Sequence, residues 1–375
     1  MKSAARTIGY AAWGRRLNRL AFRDRRPIAG SIAPTHRCNL GCIHCYLQTS
    51  RKQPELSTSA WLGIIDQLEQ AGCLWLVITG GEPLLRPDFA DIYMHAGRKG
   101  FLVNVFTNGT LIDDAIMGLF EKMPPFSVEI SLYGHSPETY ALVTGEGRAR
   151  DAAFRSARRL ARQGTAVQLK TVVLRQNAHE LEGIRRFSEE LGVPFRFDTQ
   201  VSPCLDGSLK PCFSRLDDDS AIRLDVEDGK RHATLTEFLE DGRMTPRRSL
   251  FNCGAGMTSF HVYPGGQLAL CVCDVPLFDL KKGSFMDGWD GAVRQRRESP
   301  LPEDHPCCGC CDQSFCGVCP PVARMETGSD AGFPAHLCEA GKKRRQAIQR
   351  GMDRMAGQKG MWREEEEQSK IKEAL

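Results

Sequence analysis

At residues 38–46 the sequence reads Cys38-Asn39-Leu40-Gly41-Cys42-Ile43-His44-Cys45-Tyr46. Three thiols are therefore spaced Cys-x3-Cys-x2-Cys on one loop, behind the apolar lead-in Ile32-Ala33-Pro34. Thiolates are the usual ligands of iron–sulfur clusters, and a [4Fe–4S] cluster offers four irons for ligation. Three thiols predict a cluster with one iron open to a ligand, as catalytic zinc sites keep one open position. A zinc knuckle or buried free thiols are the alternative.

The overall composition is that of a globular protein. Of the 375 residues, 41% are hydrophobic and 26% are charged, and the formal net charge is only +4. A charge this small gives no argument for nucleic acid or membrane as a partner. The Arg-rich first 26 residues lack the apolar core of a signal peptide, and no apolar run is long enough to span a bilayer. We therefore expect a cytoplasmic protein without nucleic-acid or membrane partners.

The cysteines are unevenly distributed along the chain. There are sixteen, and thirteen of them fall in two groups, one at 38–45 and one at 253–338. In the cytoplasm thiols are kept reduced, so such groups indicate metal ligation rather than disulfides.

The region from residue 30 to about 197 alternates between strand and helix periodicity. The apolar run at 74–78 is typical of a strand buried on both faces, and Ser57 is a candidate N-cap for the helix that precedes it. About six βα units of this kind predict an α/β fold, a partial (β/α)6 TIM-like barrel with a parallel sheet. Ligands of such sheets bind at the carboxyl ends of the strands.

The remaining segments differ in composition from the barrel. We predict a basic N-terminal lead-in at 1–30, the barrel at 31–203, and a polar bridge at 204–250 with one helix near 233–241. We predict a Cys-, Gly- and Pro-rich domain at 251–340, which has little hydrophobic periodicity. Bound metals commonly stabilise regions that lack a conventional hydrophobic core. Residues 341–375 read as a charged tail.

A second motif follows the thiol loop by one βα unit. Gly80-Gly81-Glu82-Pro83 ends the second predicted strand. Its glycines allow backbone carbonyls to approach a ligand, and those carbonyls and Glu82 can accept hydrogen bonds from an ammonium group. Taken alone, the tetrapeptide would be a tight turn. Together with the thiol loop it resembles the radical S-adenosylmethionine (SAM) superfamily, in which this strip holds the methionyl amine of SAM.

The resemblance implies further contacts with SAM at later strand ends. Asn108 lies at the end of the third predicted strand, and Ser131 lies near the end of the fourth. Tyr133 stands where relatives often have an Asp, so only Ser131 is carried over. Lys170 and Asn177 lie on or just after the strand predicted at 167–173. A core-edge Lys and a turn-forming Asn are the alternatives for these two residues.

The C-terminal cysteines resemble a SPASM domain, the auxiliary-cluster module of some radical SAM enzymes. By this resemblance one cluster would be held by Cys307, Cys310, Cys316 and Cys338. A second cluster would be held by Cys253, Cys271 and Cys319, with Cys273 as a candidate fourth ligand. The step from Cys316 to Cys319 is one residue shorter than in the family, and Cys308 and Cys311 offer another register. Structural zinc is the alternative. Asp274 is a candidate acid–base group, or an ordinary turn residue.

The function implied by the resemblance is that of a radical SAM/SPASM oxidoreductase. It would reductively cleave SAM to a 5′-deoxyadenosyl radical, abstract hydrogen from a peptide or protein, and leave an oxidative modification or cross-link. The implied partners are a reductant such as flavodoxin or ferredoxin and a separate leader-peptide-binding protein. The alternatives are a tetrapyrrole side-chain enzyme of heme biosynthesis and a non-enzymatic Fe–S electron-transfer or scaffold protein. The bond formed, the type of the auxiliary clusters and the oligomeric state stay open.

Overall fold

The structure, a computed structural model, describes residues 9–240 and 249–351. Within these ranges the chain divides into two compact units. The first takes in residues 1–215 and 249–300, and the second takes in 216–248 and 301–375, each as far as it is described.

The first unit is built on six parallel strands that lie side by side in chain order. They are β1 Ala29–Thr35, β2 Trp75–Gly80, β3 Leu102–Thr107, β4 Ser127–Ser131, β5 Val167–Val172 and β6 Phe195–Asp198. The predicted apolar run forms β2, in which Leu76 and Ile78 are fully buried. Consecutive parallel strands with helical crossovers are the arrangement of an α/β barrel sheet, and the predicted partial barrel is confirmed.

Helices connect these strands. They are α2 Thr58–Gln70, α3 Phe89–Arg98, α4 Asp114–Lys122, α5 Pro137–Thr144, α6 Ala149–Gln163 and α7 Leu181–Leu191, and a further helix, α1 Tyr10–Arg23, precedes β1. The Ser57 side chain accepts a hydrogen bond from the Ala60 N–H at 3.3 Å, so the predicted N-cap begins α2. Trp61, Ile64, Ile65 and Leu68 form the buried face of α2, at helical spacing.

The free edge of β1 is covered by three more strands. They are β7 Ser259–Val262, β8 Gln267–Ala269 and β9 Phe278–Asp279. Strand β7 pairs with β1 in parallel, and β8 and β9 continue antiparallel. A helical segment follows, with α-helical turns at Phe285–Gly288 and Arg294–Arg297 around a π turn at Trp289–Val293.

The division into units differs from the predicted boundary at residue 251. Residues 249–300 belong with the barrel, because β7 uses the unpaired backbone groups of the edge strand β1. A Cβ on Gly30 would lie 2.1 Å from the Phe260 ring, so the two strands also pack closely. The Cys-rich region predicted as one domain therefore contributes to both units.

The second unit is helical. Its helices are α8 Asp218–Glu227, α9 Gly229–Glu240, two short helices at Gln313–Cys316 and Pro320–Thr327, and a helix at 335–351. Where one helix was predicted for the bridge, two are present, and Asp217 of the acidic run caps α8 by accepting the Ser220 N–H at 2.8 Å. The helix at 335–351 reaches into the predicted tail, and Arg344 on it pairs with buried Asp225 at 2.8 Å. The rest of the tail lies outside the described residues.

Across residues 9–240 and 249–351, none of the helices has the length and apolar character needed to cross a membrane.

Candidate active site

A cavity of about 590 Å³ opens at the carboxyl ends of β1 to β5. It brings together nine of the residues predicted from the sequence: Cys38, Cys42, Cys45, Gly80, Gly81, Asn108, Ser131, Lys170 and Cys273. Among the described residues, no Asp or Glu lines it, and its cations are Arg51 and Lys170. The cavity therefore has a positive lining where the motifs meet.

The thiol loop is fixed by the C-terminal end of α5. The N–H groups of Gly41 and Ile43 donate to the carbonyls of Thr144 and Val143, at 2.8 and 2.9 Å. These carbonyls lie in the last turn of a helix, where no intrahelical donor is left for them. The loop thus supplies the N–H donors and helix α5 supplies the carbonyl acceptors, so that backbone groups of both are hydrogen-bonded.

The three thiols share one end of the cavity and act on one another electrostatically. Burial raises the pKa of Cys42, the Cys45 and Cys38 thiols raise it further, and Arg51 acts in the opposite direction. Thiols whose ionisation is suppressed by burial and by like charges need a cation to become thiolates. The irons of a cluster would supply that charge, so the residues present fit the group. Within the described ranges no three His, Cys, Asp or Glu side chains converge on a single metal ion, and a cubane does not need such a convergence, because each of its thiolates ligates a separate iron.

The glycines of the second motif are required by steric contact. A Cβ on Gly80, which has φ +129°, would lie 2.1 Å from the Thr35 carbonyl oxygen. A Cβ on Gly81 would lie 2.1 Å from the Arg37 carbonyl oxygen. The Gly81 N–H donates to that Thr35 carbonyl at 2.9 Å. The strip therefore lies directly against the segment that leads into the thiol loop, and Pro83 begins a short 3-10 helix after it.

Glu82 is fully buried and does not line the cavity. Its carboxylate accepts hydrogen bonds from the Asn108 N–H at 2.7 Å, the Thr107 hydroxyl at 2.8 Å and the Leu84 N–H at 3.2 Å. Burial raises its pKa to about 7, against the effect of these donors. The structure thus shows Glu82 joining the ends of β2 and β3, while the predicted contact with the amine of SAM stays a prediction.

Asn108 reaches from β3 to the thiol loop. Its side-chain amide donates to Asn39 Oδ1 at 2.9 Å and lies 3.8 Å from the Cys38 sulfur. A hydrogen bond to a ligating sulfur is one of the levers that set the reduction potential of a cluster. This residue therefore faces both the cavity and the first thiol.

Ser131 and Lys170 are direct neighbours on β4 and β5. The Lys170 ammonium lies 3.4 Å from Glu129 Oε2 and 3.6 Å from the centroid of the Phe106 ring. Burial lowers its pKa to about 8, and Glu129 acts in the opposite direction. Arg196 also pairs with Glu129, at 2.6 Å, so one carboxylate is shared by two cations. A net positive charge at this wall suits a bound carboxylate.

Like Glu82, the predicted residues Asn177 and Asp274 lie outside the cavity lining. The Asn177 amide donates to the carbonyls of Tyr133 and Val172 at 3.1 and 3.0 Å and accepts the Leu174 N–H at 2.7 Å. The Asp274 carboxylate is buried and is bound by both Nη2 and Nε of Arg296, at 2.9 and 3.2 Å. Both residues have structural partners, and their roles in SAM contact and acid–base chemistry stay predictions.

The C-terminal cysteines divide between the two units. Cys253, Cys271 and Cys273 belong to the first, where Tyr46 lies close enough to Cys273, Cys45 and Cys271 for their charges to add to the burial that raises its pKa.

In the second unit, burial and then the Cys316, Cys307 and Cys310 thiols raise the pKa of Cys338. The other three thiols predicted to share a cluster with Cys338 therefore lie within electrostatic range of it, and the shared cluster stays a prediction. Cys319, predicted with the other set, precedes the helix at Pro320–Thr327.

Sequence reasoning missed five polar residues of the cavity: Ser31, His36, Arg51, Gln200 and Ser202. Ser31 lies on β1 between Gly30 and Ile32 and lines the cavity, and His36 lies two residues before the first thiol. The sequence did carry a signal for Ser31. It is a polar residue in the strand whose Ile32 and Ala33 are buried in the core.

Residues 32–188 match the sequence profile of the Radical SAM superfamily. Together with the three-thiol loop and the glycine strip, this match shows that the chain carries a radical SAM domain and is an enzyme that uses SAM and an iron–sulfur cluster. The non-enzymatic alternative is therefore set aside.

The chain is similar to Mycofactocin maturase MftC of Mycobacterium tuberculosis (strain ATCC 25618 / H37Rv), with 29% identity over 334 residues. The match covers 84% of this chain and 83% of that protein. It is 33% identical over 174 residues to Fe-coproporphyrin III synthase of Methanosarcina barkeri (strain Fusaro / DSM 804), covering 46% of this chain and 43% of that one. Among solved structures, Streptococcus suis SuiB bound to precursor peptide SuiA superimposes with a TM-score of 0.66 at 16% identity, over 90% of this chain and 83% of that one. At 16% identity, the similarity to SuiB shows a shared fold and nothing further.

Proposed function

We propose that this enzyme modifies a peptide or protein by SAM-dependent hydrogen abstraction, with net oxidation or cross-linking of the substrate. The observation that carries the proposal is the meeting of the thiol loop, the glycine strip, Lys170 and Cys273 in one cavity. The similarity to a peptide-bound fold and to a maturase over most of both chains supports a peptide substrate. The tetrapyrrole alternative has less support, because the match to Fe-coproporphyrin III synthase covers only 43% of that protein.

Three groups of residues would hold the cofactor. Cys38, Cys42 and Cys45 would ligate three irons of a [4Fe–4S] cluster, and the open iron would take SAM. The backbone carbonyls at Gly80 and Gly81 would accept hydrogen bonds from the SAM ammonium, and Lys170 with the Ser131 hydroxyl would bind its carboxylate. When bound, the pair of cofactors supplies the 5′-deoxyadenosyl radical that abstracts hydrogen.

The remaining residues of the chain shape the site. The apolar side chains of Leu40, Leu47 and Val201 exclude water from the cavity, and this exclusion protects a reactive intermediate from side reactions. Tyr46, at the end of the thiol loop, lies within electrostatic range of Cys271 and Cys273. Cys273 lines the same cavity as the thiol loop, so it would hold an auxiliary cluster at this cavity, and such a cluster could accept an electron from the substrate.

The partners follow from the chemistry. Reduction of the first cluster needs a one-electron donor such as flavodoxin or ferredoxin. We also propose a separate leader-peptide-binding protein.

The proposal is tested by anaerobic reconstitution. About twelve irons per chain are expected if three cubanes form, at four irons each, and reductant with SAM should release 5′-deoxyadenosine. A variant with Cys38, Cys42 and Cys45 replaced by Ala should lose SAM cleavage and about four irons while the other irons stay. Loss of all iron in this variant contradicts independent sites.

The peptide part of the proposal has its own readout. With candidate peptides deuterated at carbon, deuterium should pass into 5′-deoxyadenosine, and the peptide mass should fall by the hydrogens removed. Deuterium transfer from an iron porphyrin substrate and from no peptide would favour the tetrapyrrole alternative instead.

A further inference from the structure

Three polar side chains beside the first thiol form a closed ring of hydrogen bonds. The Asn39 amide donates to the Thr110 hydroxyl at 2.8 Å, and this hydroxyl donates to Asn108 Oδ1 at 2.6 Å. The Asn108 amide then donates back to Asn39 Oδ1 at 2.9 Å. We call Asn39, Thr110 and Asn108 the hydrogen-bond ring. It connects the thiol loop to the end of β3, and the chemistry proposed above assigns it no role.

The orientation of the Asn108 carboxamide is fixed by a backbone group. The Thr110 N–H lies 2.9 Å from one of the two terminal atoms of this carboxamide. Because a backbone N–H can only donate, that atom must be the oxygen, and the nitrogen must point the other way. In that direction lie Asn39 Oδ1 and the Cys38 sulfur, the latter at 3.8 Å. A reversed amide would place two donors against each other.

The Asn108 side chain has no hydrogen-bonding capacity left. A carboxamide offers two oxygen lone pairs and two N–H groups. Its oxygen accepts from the N–H and the hydroxyl of Thr110, and its nitrogen donates to Asn39 Oδ1 and to the Cys38 sulfur. The Asn108 backbone N–H is bound by Glu82, and the residue is buried. A contact between this side chain and SAM would therefore have to break a hydrogen bond that the protein already makes.

The Cys38 sulfur receives two N–H groups, one from the Asn108 side chain and one from the Leu40 backbone at 3.5 Å. N–H donors at a ligating sulfur favour the reduced form of an iron–sulfur cluster, because they stabilise the added negative charge. The reduced form is the one that reductive cleavage of SAM requires. The place of Asn108 in the hydrogen-bond ring therefore bears on the supply of the electron rather than on the binding of SAM.

We propose that the hydrogen-bond ring holds Asn108 as a donor to Cys38, that this contact raises the reduction potential of the cluster, and that the Asn108 side chain does not bind SAM. Asn108 is then a positioning residue that acts through Cys38. The inference rests on the proposed function, because it takes Cys38 as a ligand of the SAM-binding cluster. It differs from the sequence prediction, which made Asn108 a contact of SAM.

The first test is an anaerobic redox titration of the reconstituted full-length enzyme, followed by electron paramagnetic resonance. The signal that changes when SAM is added identifies the SAM-binding cluster. Asn108→Leu keeps the branched shape of the side chain but removes its N–H groups. Reduction of this cluster should become about tenfold less favourable, which lowers the potential by about 59 mV for a one-electron couple.

The matched control is Asn104→Leu. Asn104 lies on the same strand, accepts a hydrogen bond from the Ser127 hydroxyl at 2.6 Å and lies outside the cavity lining. Its replacement removes a hydrogen bond without touching the thiol loop, so the potential should stay unchanged. An unchanged potential in Asn108→Leu as well, or an equal fall in both variants, would overturn the proposal.

Two substitutions at Thr110 give a second measurement that leaves Asn108 and Cys38 in place. Thr110→Val removes the hydroxyl that links Asn39 to Asn108, so reduction should become about threefold less favourable, in the same direction as in Asn108→Leu. Thr110→Ser keeps the hydroxyl and should titrate like the wild type. Equal potentials for Thr110→Val, Thr110→Ser and the wild type would contradict the hydrogen-bond ring, also where Asn108→Leu assembles no cluster.

SAM binding separates this role from a direct contact. Equilibrium dialysis with the oxidised enzyme should give the same Kd for SAM in Asn108→Leu as in the wild type, because no hydrogen bond to SAM is lost. A Kd raised by about tenfold or more, the effect of one lost hydrogen bond, would show that Asn108 binds SAM and would overturn the proposal.

Release of 5′-deoxyadenosine is measured in the same preparations. If the unmodified enzyme shows no SAM-sensitive cluster signal or releases no 5′-deoxyadenosine, the proposed function is contradicted. If it shows both, and the potentials of Asn108→Leu and Thr110→Val equal that of the wild type, the inference about the hydrogen-bond ring fails alone.

Discussion

The Glu82 carboxylate accepts a hydrogen bond from the Asn108 N–H at 2.7 Å, and this contact joins the two strand ends that form one wall of the cavity. The Asn108 amide in turn reaches the thiol loop, at Asn39 Oδ1 and near the Cys38 sulfur. The glycine strip and the first thiol are therefore connected through the end of β3. A substitution of Glu82 should therefore affect both the stability of the fold and the cluster bound by the thiol loop.

Glu82→Gln tests this connection. Gln places an amide donor opposite one of the three donors that now meet the carboxylate, so the free energy of unfolding should fall by about 1–3 kcal/mol. The matched control is Glu121→Gln on the exposed face of α4, for which no measurable loss is expected. Chemical denaturation measures both. Weaker SAM binding at unchanged stability would instead indicate that Glu82 acts on SAM directly.

Gly80→Ala should be severely destabilising. The added methyl group would lie 2.1 Å from the Thr35 carbonyl oxygen, at a φ that side chains rarely adopt, and a loss of at least about 3 kcal/mol is expected. Gly63→Ala in α2 is the matched control, because a Cβ there meets nothing within 4 Å. It should stabilise the helix by up to about 1 kcal/mol. Similar unfolding curves for the two variants would contradict the close approach of the strip.

Lys170→Met should weaken SAM binding without unfolding the barrel. A hydrogen bond to a charged group contributes about 1.5–3 kcal/mol, which corresponds to at least about a tenfold change in Kd. Glu129 keeps its contact with Arg196, so it is not left as an unpaired buried charge. Anaerobic equilibrium dialysis with SAM measures the effect, and Lys122→Met at the end of α4 serves as the control. An unchanged Kd for SAM would contradict the proposed contact between Lys170 and SAM.

The stability of the chain should fall in acid because of His261. Burial lowers its pKa from 6.5 to about 3, so below pH 6.5 the unfolded chain binds a proton that the folded chain does not. Its contribution is therefore fully present above about pH 6.5 and is lost as the pH falls toward 3, at about 1.4 kcal/mol per pH unit.

The measurement is a set of urea unfolding curves between pH 7 and pH 5.5. The difference in unfolding free energy between wild type and His261→Gln should shift by about 1 kcal/mol over this range, in favour of the variant at low pH. His36 acts in the same direction and Glu82 in the opposite one, and both cancel in the difference. His179→Gln on the exposed surface should show no such shift.

Local patterns in the sequence were sufficient for much of the fold. The apolar run that became β2, the N-cap at Ser57 and the spacing of the thiols are each readable within a few residues, because strand burial, capping and ligand spacing are local properties. The extension of the sheet by β7 was not predictable in this way. It depends on which edge strand finds a partner more than 220 residues away.

The sequence by itself determined the kind of chemistry, because three thiols and a glycine strip at fixed spacing define what can be bound. Only the tertiary structure decided which side chains face the bound groups. Asn177 and Asp274 are committed to neighbours, Glu82 joins two strand ends, and His36 and Ser31 line the cavity. The physical reason is that hydrogen-bond partners and burial are set by contacts between distant strand ends, which no local pattern specifies.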